Sequence, residues 1–277
     1  MINWFIVDEI IISALKEDMP YGDVTTDAVI DIETNTRAEF LAKEDGVIAG
    51  LDIARRVFEL LDDKILFMKL VKDGTFVKKG TVIAEIAGNT AAILKGERTA
   101  LNILQRLSGI ASITKEFCNK IEGTNVKIAD TRKTTPGLRM LEKYAVKVGG
   151  GSNHRFSLSD GVLIKDNHIK AVGGIKEAVD EVRRNVPHTI KIEVETETLD
   201  EVKEALASGA DIIMLDNMSI NDMKKAVEMA KGKALIEASG NVSLQSVYDV
   251  ALTGVDIISV GSITHSVKSL DISLKIK

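Results

Sequence analysis

The spacing of apolar residues divides the chain into two textures. Over roughly the first hundred residues, helical stripes and short β-like segments are mixed. Residues 1–20 alternate apolar and charged positions at helical spacing and predict an amphipathic helix. Residues 37–42 alternate in the manner of a strand, residues 46–50 are a short apolar run between glycines, and residues 53–61 return to helical spacing. Residues 73–88, where glycines punctuate β-branched runs, predict a hairpin-like β segment. Leu101, Leu104, Leu107 and Ile110 form one stripe with Ala100 and Ile103 beside it, so residues 94–110 predict a long helix that links two domains.

From about residue 126 the pattern becomes regular. Short apolar runs at 126–129, 162–164, 190–194, 212–215, 234–238 and 257–260 each end in a polar or small residue and lead into a helical pattern. The last four end at Val194, Leu215, Ala238 and Val260, which are 21, 23 and 22 residues apart. One strand, one helix and two short loops need about that much chain. Six strands are predicted, and residues 144–151 have room for a seventh. Repeated β-α units imply a parallel sheet and, at this regularity, a closed or nearly closed barrel. An open doubly wound sheet satisfies the same strand count.

Length and composition narrow the picture. A chain of 277 residues fits one barrel-sized domain and a smaller companion. With 45% hydrophobic but only 4% aromatic residues, the core must be mostly aliphatic, as in barrels filled by branched side chains. The net charge of −5 argues against general nucleic-acid or anionic-membrane binding, so any anion site must come from a local cluster of cations. The single cysteine, Cys118, allows no intrachain disulfide and suits a reducing compartment; its amphipathic helical context points to core packing. The N-terminal stretch carries acids throughout and no small-residue cleavage site, so it reads as neither signal peptide nor membrane span, and a cytoplasmic location is the expectation.

In a barrel, side chains at the carboxyl ends of the strands converge on one mouth. Here those ends carry Arg132 and Lys133, Lys165, Glu195, Asp216, Ser239-Gly240-Asn241 and Gly261-Ser262, while Gly149-Gly-Gly-Ser-Asn-His154-Arg155 lies just before the second strand. Arginine forks bind carboxylate or phosphate in a bidentate manner and lysine acts as a point charge. The two small-residue loops offer backbone N–H groups before helices, where phosphate oxygens bind. Glu195 and Asp216 suit a hard divalent cation, directly or through water, or sugar hydroxyls. Any one of these residues alone reads most simply as a solvated loop residue; the same placement on five successive strands does not. His154, His168, His188 and His265 lack paired metal-ligand spacing, so no zinc site is expected. His168 is expected to cap or pack a loop, and His188 to be exposed.

These strings resemble those of quinolinate phosphoribosyltransferase, also called carboxylating nicotinate-nucleotide pyrophosphorylase, over nearly the whole chain. The likeness runs through Tyr21-Gly-Asp-Val-Thr-Thr, Glu97-Arg-Thr-Ala-Leu-Asn, Asp130-Thr-Arg-Lys-Thr-Thr-Pro-Gly-Leu-Arg and Gly149-Gly-Gly-Ser-Asn-His-Arg. It continues through Leu163-Ile-Lys-Asp-Asn-His, Glu193-Val-Glu, Met214-Leu-Asp-Asn-Met, Glu237-Ala-Ser-Gly-Asn and Ser259-Val-Gly-Ser-Ile-Thr-His-Ser. A small departure is Ser262-Ile263, where a more apolar pair is expected.

The resemblance implies an α/β protein of the type II phosphoribosyltransferase kind. Residues 1–106, joined by 267–277, would form an N-terminal α/β sandwich, and 107–266 a C-terminal incomplete α/β barrel. It implies a homodimer or higher homo-oligomer with shared active sites, in which Arg98 reaches the neighbouring subunit's site. By the same likeness Arg132, Lys133, His154, Arg155 and Lys165 line the pocket for quinolinate, and Thr131 is a further substrate-binding residue. Glu195 and Asp216 face the ribose and magnesium of phosphoribosyl pyrophosphate, and Ser239, Gly240, Asn241, Val260, Gly261 and Ser262 hold the phosphate. Lys133, Glu195 and Asp216 are the expected catalytic residues, and Mg2+ the expected cofactor.

Three rival readings stand beside this one. An enzyme of the same fold that takes nicotinate would need fewer cations than Arg98, Arg132, Lys133, Arg155 and Lys165 provide. A Schiff-base aldolase would need a desolvated Lys133 or Lys165, and both sit among arginines and acids. Residues 74–86 look like half of a lipoyl-carrier hairpin, but the following Ala-Gly-Asn-Thr-Ala-Ala offers no lysine to modify.

Overall fold

The computed structural model describes residues 2–277; Met1, the first residue of the expected opening helix and first domain, lies outside them. The first stretch holds helices α1 (Trp4–Asp18) and α2 (Val24–Val29), strands β1 (Asn35–Ala42) and β2 (Gly46–Val47), and helix α3 (Leu51–Glu59). Strands β3 (Leu66–Lys69), β4 (Phe76–Val77) and β5 (Val82–Asn89) lead into the long helix α4 (Thr90–Lys120), followed by β6 (Lys127–Ala129) and α5 (Arg139–Val148). Strands and helices then alternate: β7 (Val162–Ile164), α6 (Asp166–Val172), α7 (Ile175–Asn185), β8 (Ile192–Thr196), α8 (Leu199–Ala207), β9 (Ile212–Asp216) and α9 (Ile220–Ala230). The chain ends with β10 (Leu235–Ser239), α10 (Val247–Ala251), β11 (Ile257–Ser259), α11 (Ser262–His265) and β12 (Ile272–Ile276). No described helix is long and apolar enough to cross a membrane.

The chain groups into two compact units. One takes in the chain up to Lys115, Thr134–Gly150 and Ile263–Lys277; the other comprises Glu116–Lys133 and Gly151–Ser262. Residues 107–115, 134–150 and 263–266, read from the sequence as part of the barrel, thus group with the first unit. The reason is packing within that unit: Leu107, Ile110 and Ala111 of α4 are buried, as are Leu141, Ala145 and Val146 of α5. Gly149, at the end of α5, meets α4 so closely that a Cβ there would lie 2.5 Å from the Ala111 carbonyl oxygen.

In the first unit an antiparallel sheet runs β12-β1-β5-β3, so the last residues of the chain return to pair with the first long strand, Ala38 opposite Ile276. α1 buries Val7, Ile11 and Leu15, a stripe at i, i+4 and i+8. Asp23 caps α2 by accepting from the Thr25 and Thr26 N–H groups, both at 3.1 Å. Phe40, Phe58 and Phe67 pack as one aromatic cluster with centroids 5.4–6.3 Å apart. The hairpin expected over 73–88 does not form. β4 pairs with β2, and β5 pairs with β1 and β3, so the two arms around Gly80 serve different sheets.

In the second unit six parallel strands are ordered β6-β11-β10-β9-β8-β7. Consecutive strands are neighbours from β7 through β11, and β11 returns to pair with β6, Ile258 opposite Ile128. The pairing of first strand with last is what an open doubly wound sheet lacks, so this is a barrel missing only the β6–β7 pairing. The seventh strand allowed at 144–151 is absent: residues up to Val148 belong to α5, whose buried positions recur at helical spacing. Beside β6, Ser152 makes an isolated parallel bridge to Ala129. Its N–H donates to the Ile128 carbonyl at 2.7 Å and its carbonyl accepts from the Asp130 N–H at 3.1 Å.

Candidate active site

Alternation along the barrel strands decides which side chains meet. Val194, Ile213, Leu215, Ile236, Ala238 and Ile258 are buried on one face of the strands. The positions between them point to the other face, the barrel interior. That interior is therefore not the aliphatic filling expected from composition. Glu193 and Glu195 on β8, Met214 and Asp216 on β9, Glu237 and Ser239 on β10, and Ser259 on β11 all line cavities inside it. Aliphatic residues fill the layer outside the strands, and polar ones the layer within.

One interior cavity, of about 410 Å³, is lined by Thr131, Arg132, Lys133, His154, Arg155, Leu163, Lys165, Glu195, Met214, Asp216, Glu237, Ser239 and Ser259. Its wall holds four cationic side chains, three carboxylates and one imidazole. Lys165 Nζ lies 2.5 Å from Glu195 Oε2, joining the ends of adjacent strands β7 and β8. Asp216, at the end of β9, accepts from Asn217 Nδ2 at 3.0 Å. Arg155 donates from Nη1 to the Gly161 carbonyl at 2.8 Å. Burial, and then the like charge of Arg132, pull the Arg155 guanidinium below its ordinary value, as expected of two cations held in readiness for an anion.

Below these residues lies a second polar layer. His154 Nε2 is 2.9 Å from Glu193 Oε2 and 3.6 Å from Glu237 Oε1. The Arg155 backbone N–H donates to His154 Nδ1 at 2.8 Å, so Nδ1 acts as acceptor and the proton sits on Nε2, facing Glu193. The loop is fixed from beneath by Asp130, fully buried, which accepts from the His154 N–H at 2.9 Å and from Asn153 Nδ2 at 2.5 Å. Glu193 and Glu237 are 4% and 2% exposed. Burial, and then the neighbouring Glu193 carboxylate, push the Glu237 carboxyl up to about 7.

The phosphate loops of the sequence reading are shaped as turns. Gly240 and Asn241 follow β10 with φ of 91° and 49°. A Cβ at Gly240 would lie 2.3 Å from Asn217 Oδ1, which in turn accepts from Asn241 Nδ2 at 3.0 Å, so the glycine lets two strand-end loops close on each other. Ser239-Gly240-Asn241 does not immediately precede a helix as expected, because residues 242–246 intervene before α10. Val260 is buried with its N–H on the Ala129 carbonyl at 2.9 Å, and Gly261 leads directly into α11, which opens at Ser262.

Both domains of the quinolinate phosphoribosyl transferase family match this sequence, the N-terminal domain over residues 23–108 and the C-terminal domain over 110–275. The chain belongs to the quinolinate phosphoribosyltransferase family. A probable nicotinate-nucleotide pyrophosphorylase [carboxylating] of Bacillus subtilis is 48% identical to it over 94% of this chain and 90% of its own length. The solved nicotinate-nucleotide pyrophosphorylase of Francisella tularensis superposes with a TM-score of 0.96 at 41% identity, over 100% of this chain and 98% of that one. Human nicotinic acid phosphoribosyltransferase shares the fold, with a TM-score of 0.62 at 12% identity over 91% of this chain and 72% of that one. The family thus accounts for the order of motifs, and the fold by itself does not select the substrate.

Among the residues singled out from sequence, Thr131, Arg132, Lys133, His154, Arg155, Lys165, Glu195, Asp216 and Ser239 come together around the one cavity. Arg98 belongs to the other unit, exposed on α4. His168 accepts at Nδ1 from the Lys165 N–H at 2.9 Å and closes the start of α6, and His188 is exposed, both as expected. Cys118 is half-buried on α4 rather than in the core. Asp130, Asn153, Glu193 and Glu237 were missed as site residues. Their signal was an acid flanked by apolar residues inside a strand, as in Ile192-Glu193-Val194 and Ile236-Glu237-Ala238.

Proposed function

We propose that this chain transfers the phosphoribosyl group of phosphoribosyl pyrophosphate to the ring nitrogen of quinolinate with loss of CO2. The products are nicotinate mononucleotide, pyrophosphate and CO2, a step of NAD biosynthesis. The observation that carries this reading is the convergence of Arg132, Lys133, Arg155 and Lys165 on one cavity whose other wall holds Glu195 and Asp216. A dicarboxylate and a polyphosphate donor together need that many cations; a monocarboxylate does not. The same crowding of charge leaves neither lysine in the apolar surroundings a Schiff-base enzyme requires.

Arg132, Lys133, His154, Arg155 and Lys165 would hold the two carboxylates and orient the ring nitrogen toward the anomeric carbon. As the bond to pyrophosphate breaks, positive charge develops on the ribose, and the Glu195 and Asp216 carboxylates would stabilise it and grip the hydroxyls. Their hard oxygen donors at the ends of adjacent strands fit magnesium, directly or through water, and the bound ion would neutralise the departing pyrophosphate. The turns Ser239-Gly240-Asn241 and Val260-Gly261-Ser262 would seat the phosphate on backbone N–H groups. Once the ring nitrogen is alkylated it is cationic, and it stabilises the electron pair left at the adjacent carbon, so decarboxylation follows glycosidic bond formation.

Exposed Arg98 supports a shared-site homodimer or higher homo-oligomer in which it enters a neighbouring subunit's cavity, and the lone cysteine supports a cytoplasmic enzyme. The experiment is a pair of reactions containing magnesium and phosphoribosyl pyrophosphate with either quinolinate or nicotinate. Nucleotide formed from quinolinate alone is the expected result. Turnover of nicotinate in preference to quinolinate would replace the substrate and leave the fold standing.

A further inference from the structure

The chemistry above consumes a proton. When the 2-carboxylate leaves the nucleotide as CO2, the C–C electron pair stays on the ring carbon beside the cationic nitrogen, and a C–H bond must form there. The interior of the barrel holds a buried group suited to the task. Glu237 is 2% exposed, lines the cavity that holds the cation cluster, and its Oε1 has no hydrogen-bond partner. On β10 it stands two residues before Ser239, on the same interior face, and both line that cavity.

A second observation gives that group a route for renewal. Another interior cavity, of about 360 Å³, opens among residues at the starts of the strands, including Lys127, Val162, Lys191, Ile212 and Ile257. Among the described residues, His154, Arg155 and Glu237 line both cavities. Glu237 therefore stands between two cavities, one at the starts and one at the carboxyl ends of the same strands.

We propose that Glu237 is the catalytic acid that delivers a proton to the carbon vacated by CO2, and that it is reprotonated by water through the cavity at the strand starts. This rests on quinolinate being the substrate. The balance is simple. The C2–carboxylate bond breaks and its electron pair remains on C2; that pair takes the proton of the Glu237 carboxyl to form C2–H. The Glu237 carboxylate then recovers one proton from solvent, so one proton is consumed per CO2 released. Glu193 has the complementary part: its Oε2 lies 2.9 Å from His154 Nε2 against 3.6 Å for Glu237 Oε1, so the imidazole is directed at Glu193 and not at Glu237. The charged and titratable groups facing Glu237 are Glu193 from β8, His154 from the loop before β7, and Asp130 from the end of β6, with the Ser259 hydroxyl from β11; burial outweighs them all.

The test follows pyrophosphate and nicotinate mononucleotide in the same single-turnover reaction of the full-length protein with magnesium, phosphoribosyl pyrophosphate and quinolinate. In Glu237→Gln, pyrophosphate release is expected to stay within about threefold of wild type. Nicotinate mononucleotide should form roughly 100-fold or more slowly, with the undecarboxylated dicarboxylate nucleotide accumulating. In the wild type, which needs no variant to fold, the decarboxylating step should slow as pH rises through about 7 while pyrophosphate release does not follow that curve. Equal loss of both products in Glu237→Gln would reduce Glu237 to a structural role and overturn the proposal, as would unchanged nucleotide formation. Accumulation of the dicarboxylate nucleotide in Lys133→Ala and not in Glu237→Gln would move the acid to Lys133. A wild-type protein that releases no pyrophosphate from quinolinate would remove the substrate reading itself, an outcome distinct from the others.

Discussion

Glu237→Gln should be more stable relative to wild type at neutral and alkaline pH than at acid pH. The carboxyl is buried beside Glu193, with His154 Nε2 at 3.6 Å and already directed at Glu193, so ionising it would place a second negative charge where one is barely accommodated. The folded protein holds this proton up to about 7, whereas the unfolded chain gives it up near the ordinary glutamate value of 4.5. A folded-state value raised above the unfolded one makes a contribution that is fully present below 4.5 and lost as pH climbs to about 7. At about 1.4 kcal/mol per pH unit the loss amounts to about 3 kcal/mol, and the burial of Glu237 leaves little solvent to screen it. Glutamine has no such proton to lose. Urea denaturation of both proteins at intervals between about pH 4.5 and about pH 8 measures the effect. The difference between them should drift toward the variant by about 3 kcal/mol over that range. A difference that stays flat would mean that Glu237 is ionised throughout, and would refute the reasoning from burial and like charge.

Arg106→Ala should destabilise the first unit by about 3–5 kcal/mol in urea denaturation, because it strands the fully buried Glu142 that Arg106 Nε and Nη2 hold at 2.8 and 2.7 Å; a loss below about 1 kcal/mol would contradict this. Glu195→Gln and Asp216→Asn should each lower kcat roughly 100- to 1,000-fold with quinolinate affinity little changed, measured by steady-state kinetics. A change confined to KM for quinolinate would move those acids out of the ribose site. Gly240→Ala must hold a side chain at φ 91° with its Cβ 2.3 Å from Asn217 Oδ1, so it should cost about 1–3 kcal/mol and raise KM for phosphoribosyl pyrophosphate more than that for quinolinate. Equal KM values for the donor in the two proteins would show that this turn holds no phosphate.

The barrel strands were legible because a buried parallel strand between helices is written locally, as a short apolar run closed by a polar residue. That is why Ile212–Asp216 and Leu235–Ser239 were found almost to the residue. The strand-end residues were legible for the same reason. Pairing was not. Phe76–Val77 and Val82–Asn89 read as two arms of a hairpin, and only the positions of β1 and β2 show that each has a better partner elsewhere. The interior acids were hidden by a different ambiguity. In Ile192-Glu193-Val194-Glu195 the alternation is plain, but which face is interior depends on closure of the sheet by β11 against β6. A buried Glu193 and a solvated one have the same local sequence. Residues 144–151 misled because Ala145, Val146 and Val148 satisfy a short apolar run as well as one turn of α5.

The central claim is that one cavity joins a dicarboxylate to phosphoribose and then removes one of its carboxylates. It is tested most directly with quinolinate carrying carbon-13 in the 2-carboxyl group alone, following labelled CO2, pyrophosphate and nucleotide together. The account predicts one labelled CO2 for each pyrophosphate, no label in the nicotinate mononucleotide, and no labelled CO2 before the glycosidic bond forms. Label retained in the nucleotide, or CO2 released without phosphoribosyl pyrophosphate, would contradict it.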